Sequence, residues 1–195
     1  MSKLQNIFQA PVIFSKASNF LASDTQLAFG AKAFMASMVL AVSAWISFPL
    51  YPVPVYLLPN AIVLLALFGG ARLGFYAALF YLVEASIGLP VLSGGRIDPL
   101  WLFTPVAGYI LSYPLVVFVT GWVSERWGKS VVATLAAVVL GQVVLYTCGV
   151  ANLTRFFGLD VALKVGFYSF GIKALVNLVS TTAIYKIFTG LKLSK

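Results

Sequence analysis

Residues 81–109, YLVEASIGLPVLSGGRIDPLWLFTPVAGY, carry Glu84, Arg96 and Asp98 in a chain that is 61% hydrophobic and only 9% charged. Gly88, Pro90, Gly94, Gly95 and Pro99 bend the run, and long apolar segments flank it. A charge at the centre of a bilayer costs roughly 2.5–3.5 kcal/mol on insertion scales, so ionisable groups gathered near membrane depth mark a functional site. The stretch reads as a loop between two membrane-crossing helices. It is where a ligand is expected.

The rest of the chain shares this apolar character. Its mean hydropathy is +0.99, whereas about a quarter of residues are charged in ordinary soluble domains. The 195 residues therefore read as one all-α integral membrane domain in the cell membrane. There is no histidine, and Cys148 is the single cysteine. That excludes disulfide frameworks, Cys/His zinc sites and histidine-based triads. The five acids, Asp24, Glu84, Asp98, Glu125 and Asp160, form no Asp-x-x-Asp pair for a metal. A phosphate-cradling Gly-rich loop followed by Lys-Ser/Thr is also missing. The chain is expected to hold no metal or cofactor, to hydrolyse no ATP and to catalyse nothing. Cys148 reads as a packing residue.

Apolar runs between Pro, Gly and charge breaks predict about six transmembrane helices. They cover about 29–48, 57–68, 73–87, 100–123, 131–150 and 160–188, the last long enough to be tilted or broken. Residues 1–28 read as a partly amphipathic leader, 29–188 as the membrane domain and 189–195 as a basic tail. With the N-terminus inside, nine basic residues (Lys3, Lys16, Lys32, Arg72, Arg126, Lys129, Lys186, Lys192, Lys195) face the cytoplasm. Arg96 and Arg155 alone fall in external loops, so both termini are predicted cytoplasmic. The net charge of +8 is then mostly topogenic, drawn to anionic lipid rather than to nucleic acid.

A few groups need more than topology. In the first helix Ala33, Ser37 and Ala41 repeat at every fourth position, a spacing that lets another helix approach closely. That helix belongs either to a partner subunit or to this chain. Arg96 follows Gly94-Gly95, which allow close backbone approach, and its planar fork suits a carboxylate. The alternative is an internal ion pair with Asp98 or Glu84. Lys173 lies mid-span, where a lysine pairs, meets a ligand or faces a wet cavity. Glu84 is its candidate counter-ion, and Asn177 lies one turn on along the same face. Trp101, Tyr109 and Phe170 either wall a pocket or belong to interfacial belts.

These pieces resemble the BioY family, the biotin-specific substrate-capture (S) subunits of energy-coupling factor transporters. The resemblance is carried by YPVPVYLLPNAIVLLALFGGARLG, YLVEASIGLPVLSGGR, TPVAGYILSYP and Lys173-Ala174, in that order, over roughly residues 33–185. It departs at Tyr56 and Leu58, where members carry polar side chains, and at Phe170, where members carry an Asp.

The resemblance implies a six-helix bundle that binds biotin in an outward-facing pocket. It also implies partners, namely a membrane coupling subunit and two ATPases that use ATP on its behalf. Biotin contacts would come from Tyr81, from the Gly94-Gly95-Arg96 loop and from Lys173. Arg96 or Lys173 would hold the carboxylate, with Glu84 and Asp98 closing a polar network. Ala33, Ser37 and Ala41 would meet the coupling subunit. The alternatives are another vitamin or small carboxylate on the same scaffold, or a membrane assembly subunit without a ligand.

Overall fold

The structure, a computed structural model, describes residues 25–48, 55–128, 130–164 and 169–193, with side chains described at 25–46, 56–128, 130–164 and 174–190. Most of the leader expected at 1–28, the Pro-Val-Pro turn and the last two residues lie outside the described residues.

Helix α1 spans Gln26–Trp45, three residues earlier than hydropathy predicts. Thr25 starts it by accepting from the Ala28 N–H at 3.3 Å, the N-cap contact that satisfies an orphan helix donor. A two-residue antiparallel ladder follows, β1 (Ser47–Phe48) against β2 (Val55–Tyr56). Helix α2 spans Leu58–Ser86 with a single non-helical residue, Gly70, at φ 79° and ψ 173°. Only glycine enters that region readily.

The break is a reversal. A Cβ on Gly74 would lie 3.7 Å from the Leu65 side chain, although nine residues of straight helix span about 13 Å. The arms 58–69 and 71–86 therefore pair as a helical hairpin, matching the division predicted at the Gly69-Gly70 step. Glu125 accepts from the Ala71 N–H at 2.8 Å, capping the second arm with an anion as the helix dipole favours.

After the loop, short 3-10 turns at Ser93–Gly95 and Trp101–Phe103 lead to α3 (Ala107–Leu111) and α4 (Tyr113–Trp127). The single helix expected at 100–123 is thus broken at its start. Helix α5 covers Val131–Phe157, α6 Leu159–Leu163 and α7 Ser169–Leu193. The last segment is broken, and its helix continues to Leu193 through the stretch read as a tail.

The core joins α1, both arms of α2, α3 and α4 through Leu40, Ile62, Ala78, Tyr81, Ala107 and Val117, all at most 2% exposed. A second cluster joins Val63 and Leu67 to Val138 of α5 and Tyr185 of α7. Among the described residues α1 and α5 are each long and apolar enough to cross a bilayer, and α2 is apolar throughout but reverses into two shorter arms at Gly70. Large apolar side chains cover their outer faces, including Phe34, Val39 and Val42 on α1 and Val139 and Val143 on α5. That is the surface of a multi-pass membrane protein, with lipid where a soluble chain meets water.

The small-residue stripe of α1 meets a helix of this chain. Ala33 and Ser37 are fully buried and Ala41 is 6% exposed, because α2 of the same chain fills the groove. Ser37 Oγ lies 2.5 Å from Glu84 Oε1 on the second arm. Spacing reveals that a helix can approach closely but not which helix does so.

Candidate ligand site

Loop 87–96 is assembled by two aromatic tethers. Tyr81 Oη donates to the Val91 carbonyl at 2.7 Å, and Trp45 Nε1 at the end of α1 donates to the Pro90 carbonyl at 2.5 Å. Gly94 and Gly95 both take positive φ, 75° and 73°, so the chain doubles back and Leu92 bridges to Arg96. The glycine pair thus turns the backbone, and Arg96 emerges from the turn.

Arg96 stands at the rim of a cavity of about 290 Å³, at the small end of the ~300–1,000 Å³ typical of ligand pockets. Ser93 of the same loop and Tyr56 of β2 share the rim side. The walls come from Leu58, Ile62 and Val63 of α2, Ile110 of α3, Val116 of α4 and Leu145 of α5. Tyr109, Tyr113 and Tyr146 add three tyrosine faces. The Tyr109 and Tyr146 rings meet edge to face with centroids 6.4 Å apart. Asn60, Gln142 and Asn177 supply amides from three different helices. Apolar walls with a few convergent polar groups are what a small-molecule site requires.

Among the described residues Arg96 forms no ion pair with Asp98 or Glu84, so its guanidinium is available for an anion. Asp98 is spent locally, accepting from the Leu100 N–H at 3.1 Å. Glu84 is 3% exposed and turns to Ser37, with its other oxygen meeting no donor among the described residues.

Of the residues expected from sequence to touch a ligand, the structure brings Arg96 and Asn177 to the cavity. Gly94 abuts Tyr56 at the rim, and Gly95 packs beside Trp45. Tyr81, Glu84, Asp98 and Trp101 do not line this cavity. Tyr81 is 1% exposed and stands behind Tyr113, ring centroids 6.0 Å apart. Its hydroxyl holds the loop instead of a ligand. Trp101 is 2% exposed and donates to Ser86 Oγ at 3.3 Å. An amphipathic ring in a membrane chain suits loop anchoring as well as a pocket wall, and burial decides between them. The side chains of Phe170 and Lys173 lie outside those described.

Asn60 and Gln142 were missed. Their signal was available, since a primary amide inside an apolar helix is costly unless partnered or wet. Tyr56 and Leu58, flagged only as departures from a pattern, both line the cavity.

Comparison with known proteins agrees with this architecture. The BioY family model matches residues 17–192. The chain is similar to the biotin transporter BioY of Thermotoga maritima, 34% identical over 155 residues, covering 78% of this chain and 90% of that protein. It is similar to the probable biotin transporter BioY of Pyrococcus horikoshii, 30% identical over 76% of this chain and 88% of that protein. The biotin transporter BioY of Rhizobium etli is 39% identical over 122 residues, a match spanning 58% of this chain and 65% of the relative's length. In fold it resembles the crystal structure of the S-component for biotin from an ECF-type ABC transporter, with a TM-score of 0.71, 18% identity and coverage of 93% and 95% of the two chains. The matched residues include both arms of α2, the loop that bears Arg96, and the helices that wall the cavity, so the chain belongs to the BioY family.

Proposed function

We propose that the chain is a biotin-capture subunit, a transport protein and not an enzyme, that works with ATP-driven partners in an energy-coupling factor module. Both termini face the cytoplasm, residues 29–188 form the membrane domain, and the cavity opens outward. Family membership supports the ligand, because the relatives above are named biotin transporters. The observation that carries the reading to this chain is Arg96. It is a guanidinium without an ion-pair partner among the described residues, set at the rim of an apolar, tyrosine-walled cavity.

A carboxylate takes two parallel hydrogen bonds from such a fork, while the walls enclose an apolar ring and valeryl chain. Lys173, in the first turns of α7, is the second cation assigned to the site. Gly94 and Gly95 serve by shaping the turn that presents Arg96. Transport energy comes from a membrane coupling subunit and two ATPases, because the chain lacks a nucleotide-binding motif.

The test is binding by the purified chain. Biotin should raise its unfolding temperature, and Arg96→Ala should weaken biotin affinity by at least about tenfold, the loss of roughly 1.4 kcal/mol of charge-assisted bonding. An unchanged affinity in both Arg96→Ala and Lys173→Ala would sink the assignment. A second reading, another small carboxylate on the same scaffold, is favoured by the apolar side chain of Leu58 lining the cavity. Stabilisation by a different vitamin, with none by biotin, would select it.

A further inference from the structure

Three amides along the cavity form a one-way relay. Gln142 Nε2 donates to the Ala174 carbonyl at 2.9 Å and to Asn177 Oδ1 at 3.3 Å. Asn177 Nδ2 donates to Asn60 Oδ1 at 3.2 Å, and Asn60 Nδ2 donates to Ser180 Oγ. The direction is dictated by the first link. Ala174 offers a backbone carbonyl, which only accepts, so the Gln142 atom beside it must be the NH2 group. Flipping that amide would set oxygen against two acceptors. Asn177 Oδ1 is then taken, its own NH2 must face Asn60, and the order runs on to Ser180.

The head of the relay is left over. Both Gln142 protons are used, while Oε1 accepts a hydrogen bond from no described residue. Gln142 lines the cavity and is half-buried. It also lies deep. Asn152, ten residues further along α5, holds the Thr104 and Pro105 carbonyls of the outer segment at 3.2 and 2.9 Å. Ten residues of helix are about 15 Å, so Gln142 sits well below the 104–105 segment, on the far side of the cavity from that end of α5. The cavity lining thus includes a cationic donor, Arg96, and a neutral amide oxygen, Gln142 Oε1, that accepts from no described residue, with apolar and tyrosine walls around them.

We propose that Gln142 Oε1 is the specificity-determining acceptor for an N–H donor at the buried end of the ligand, so that the site selects a ureido-headed carboxylate over one with an apolar head. This inference rests on the biotin reading and deepens it. Biotin enters head first, a ureido N–H meets Gln142 Oε1, and the carboxylate stays with Arg96. A ligand without that N–H strips water from Oε1 and returns nothing. Sites built around a hydrogen bond reject analogues that lack it by as much as about 10⁴–10⁵-fold.

Lipoate is the informative comparison, since it carries the same valeryl carboxylate on a dithiolane ring with no N–H. The purified full chain should prefer biotin to lipoate by at least about a hundredfold. Gln142→Met should shrink that preference by at least about tenfold, because biotin loses the contact while lipoate no longer strips water from an unpaired oxygen and binds no more weakly than before. An unchanged preference in folded Gln142→Met, or equal weakening of both ligands, overturns the proposal. Biotin methylated on both ureido nitrogens tests the same contact on the unaltered protein, whether or not the variant folds. It should bind at least about tenfold more weakly than biotin, and equal binding overturns the proposal. Failure of the unaltered chain to bind biotin at all would strike the biotin reading itself, whereas tight binding indifferent to Gln142 would strike only this contact.

Discussion

Tyr81 Oη donates to the carbonyl of Val91 across a ten-residue separation, so a side chain of the second arm of α2 sets the position of the loop that presents Arg96. The residue thus holds the loop backbone at Val91. This explains how a fully buried tyrosine can belong to the site without lining it.

Tyr81→Phe removes that donor and leaves a buried carbonyl unsatisfied, which costs about 1–3 kcal/mol. Two readouts check it together. The unfolding temperature should fall, and the biotin dissociation constant should rise several-fold as the loop relaxes. A lower unfolding temperature with an unaltered dissociation constant would show that the loop keeps its place without the tether.

The Ser37–Glu84 pair yields an asymmetric expectation. Ser37→Ala leaves a buried carboxyl with no donor on either oxygen, for a loss of about 1–3 kcal/mol. Glu84→Leu should be far milder, because Ser37 Oγ keeps the Phe34 carbonyl at 2.7 Å. Introducing Leu at position 84 beside Ala at 37 should recover most of the Ser37→Ala loss, since replacing both partners with apolar groups can be nearly neutral. Thermal unfolding of the four proteins in one detergent measures the cycle. Equal damage from both single substitutions would contradict it.

The reversal at Gly70 is a third place to probe. A Cβ there would fall on Glu125 Oε1, and the backbone region is one that glycine alone holds cheaply, at about 1–3 kcal/mol for other residues. Gly70→Ala should be strongly destabilising, and Glu125→Ala should cost about 1 kcal/mol through the lost cap. Combined, they should cost less than the sum, because both act on one contact. Strict additivity in thermal unfolding would count against the shared turn.

Much of this architecture was legible before any coordinates. The break at Gly69-Gly70, the loop after the second arm of α2 and the exposed place of Arg96 follow from hydropathy, glycine chemistry and charge. These are local properties, readable from adjacent residues. What stayed hidden shares one cause. Ala33, Ser37 and Ala41 were correctly seen as a groove, yet nothing in their spacing says that α2 fills it. Glu84 and Trp101 were correctly seen as unusual groups in an apolar chain, yet their partners, Ser37 and Ser86, depend on how each helix is rotated about its axis.

The sequence by itself determined that this chain crosses a membrane with helices, that Arg96 follows a glycine-paired turn in the loop after the second arm of α2, and which family it belongs to. Only the tertiary structure decided which polar groups share the cavity. Asn60, Gln142 and Asn177 are drawn from helices far apart in the chain, with 117 residues between the first and the last. Each alone is a tolerated amide in an apolar span. Their convergence is a property of helix packing, because the cost of an unpartnered amide in a membrane falls only when other helices bring partners to it.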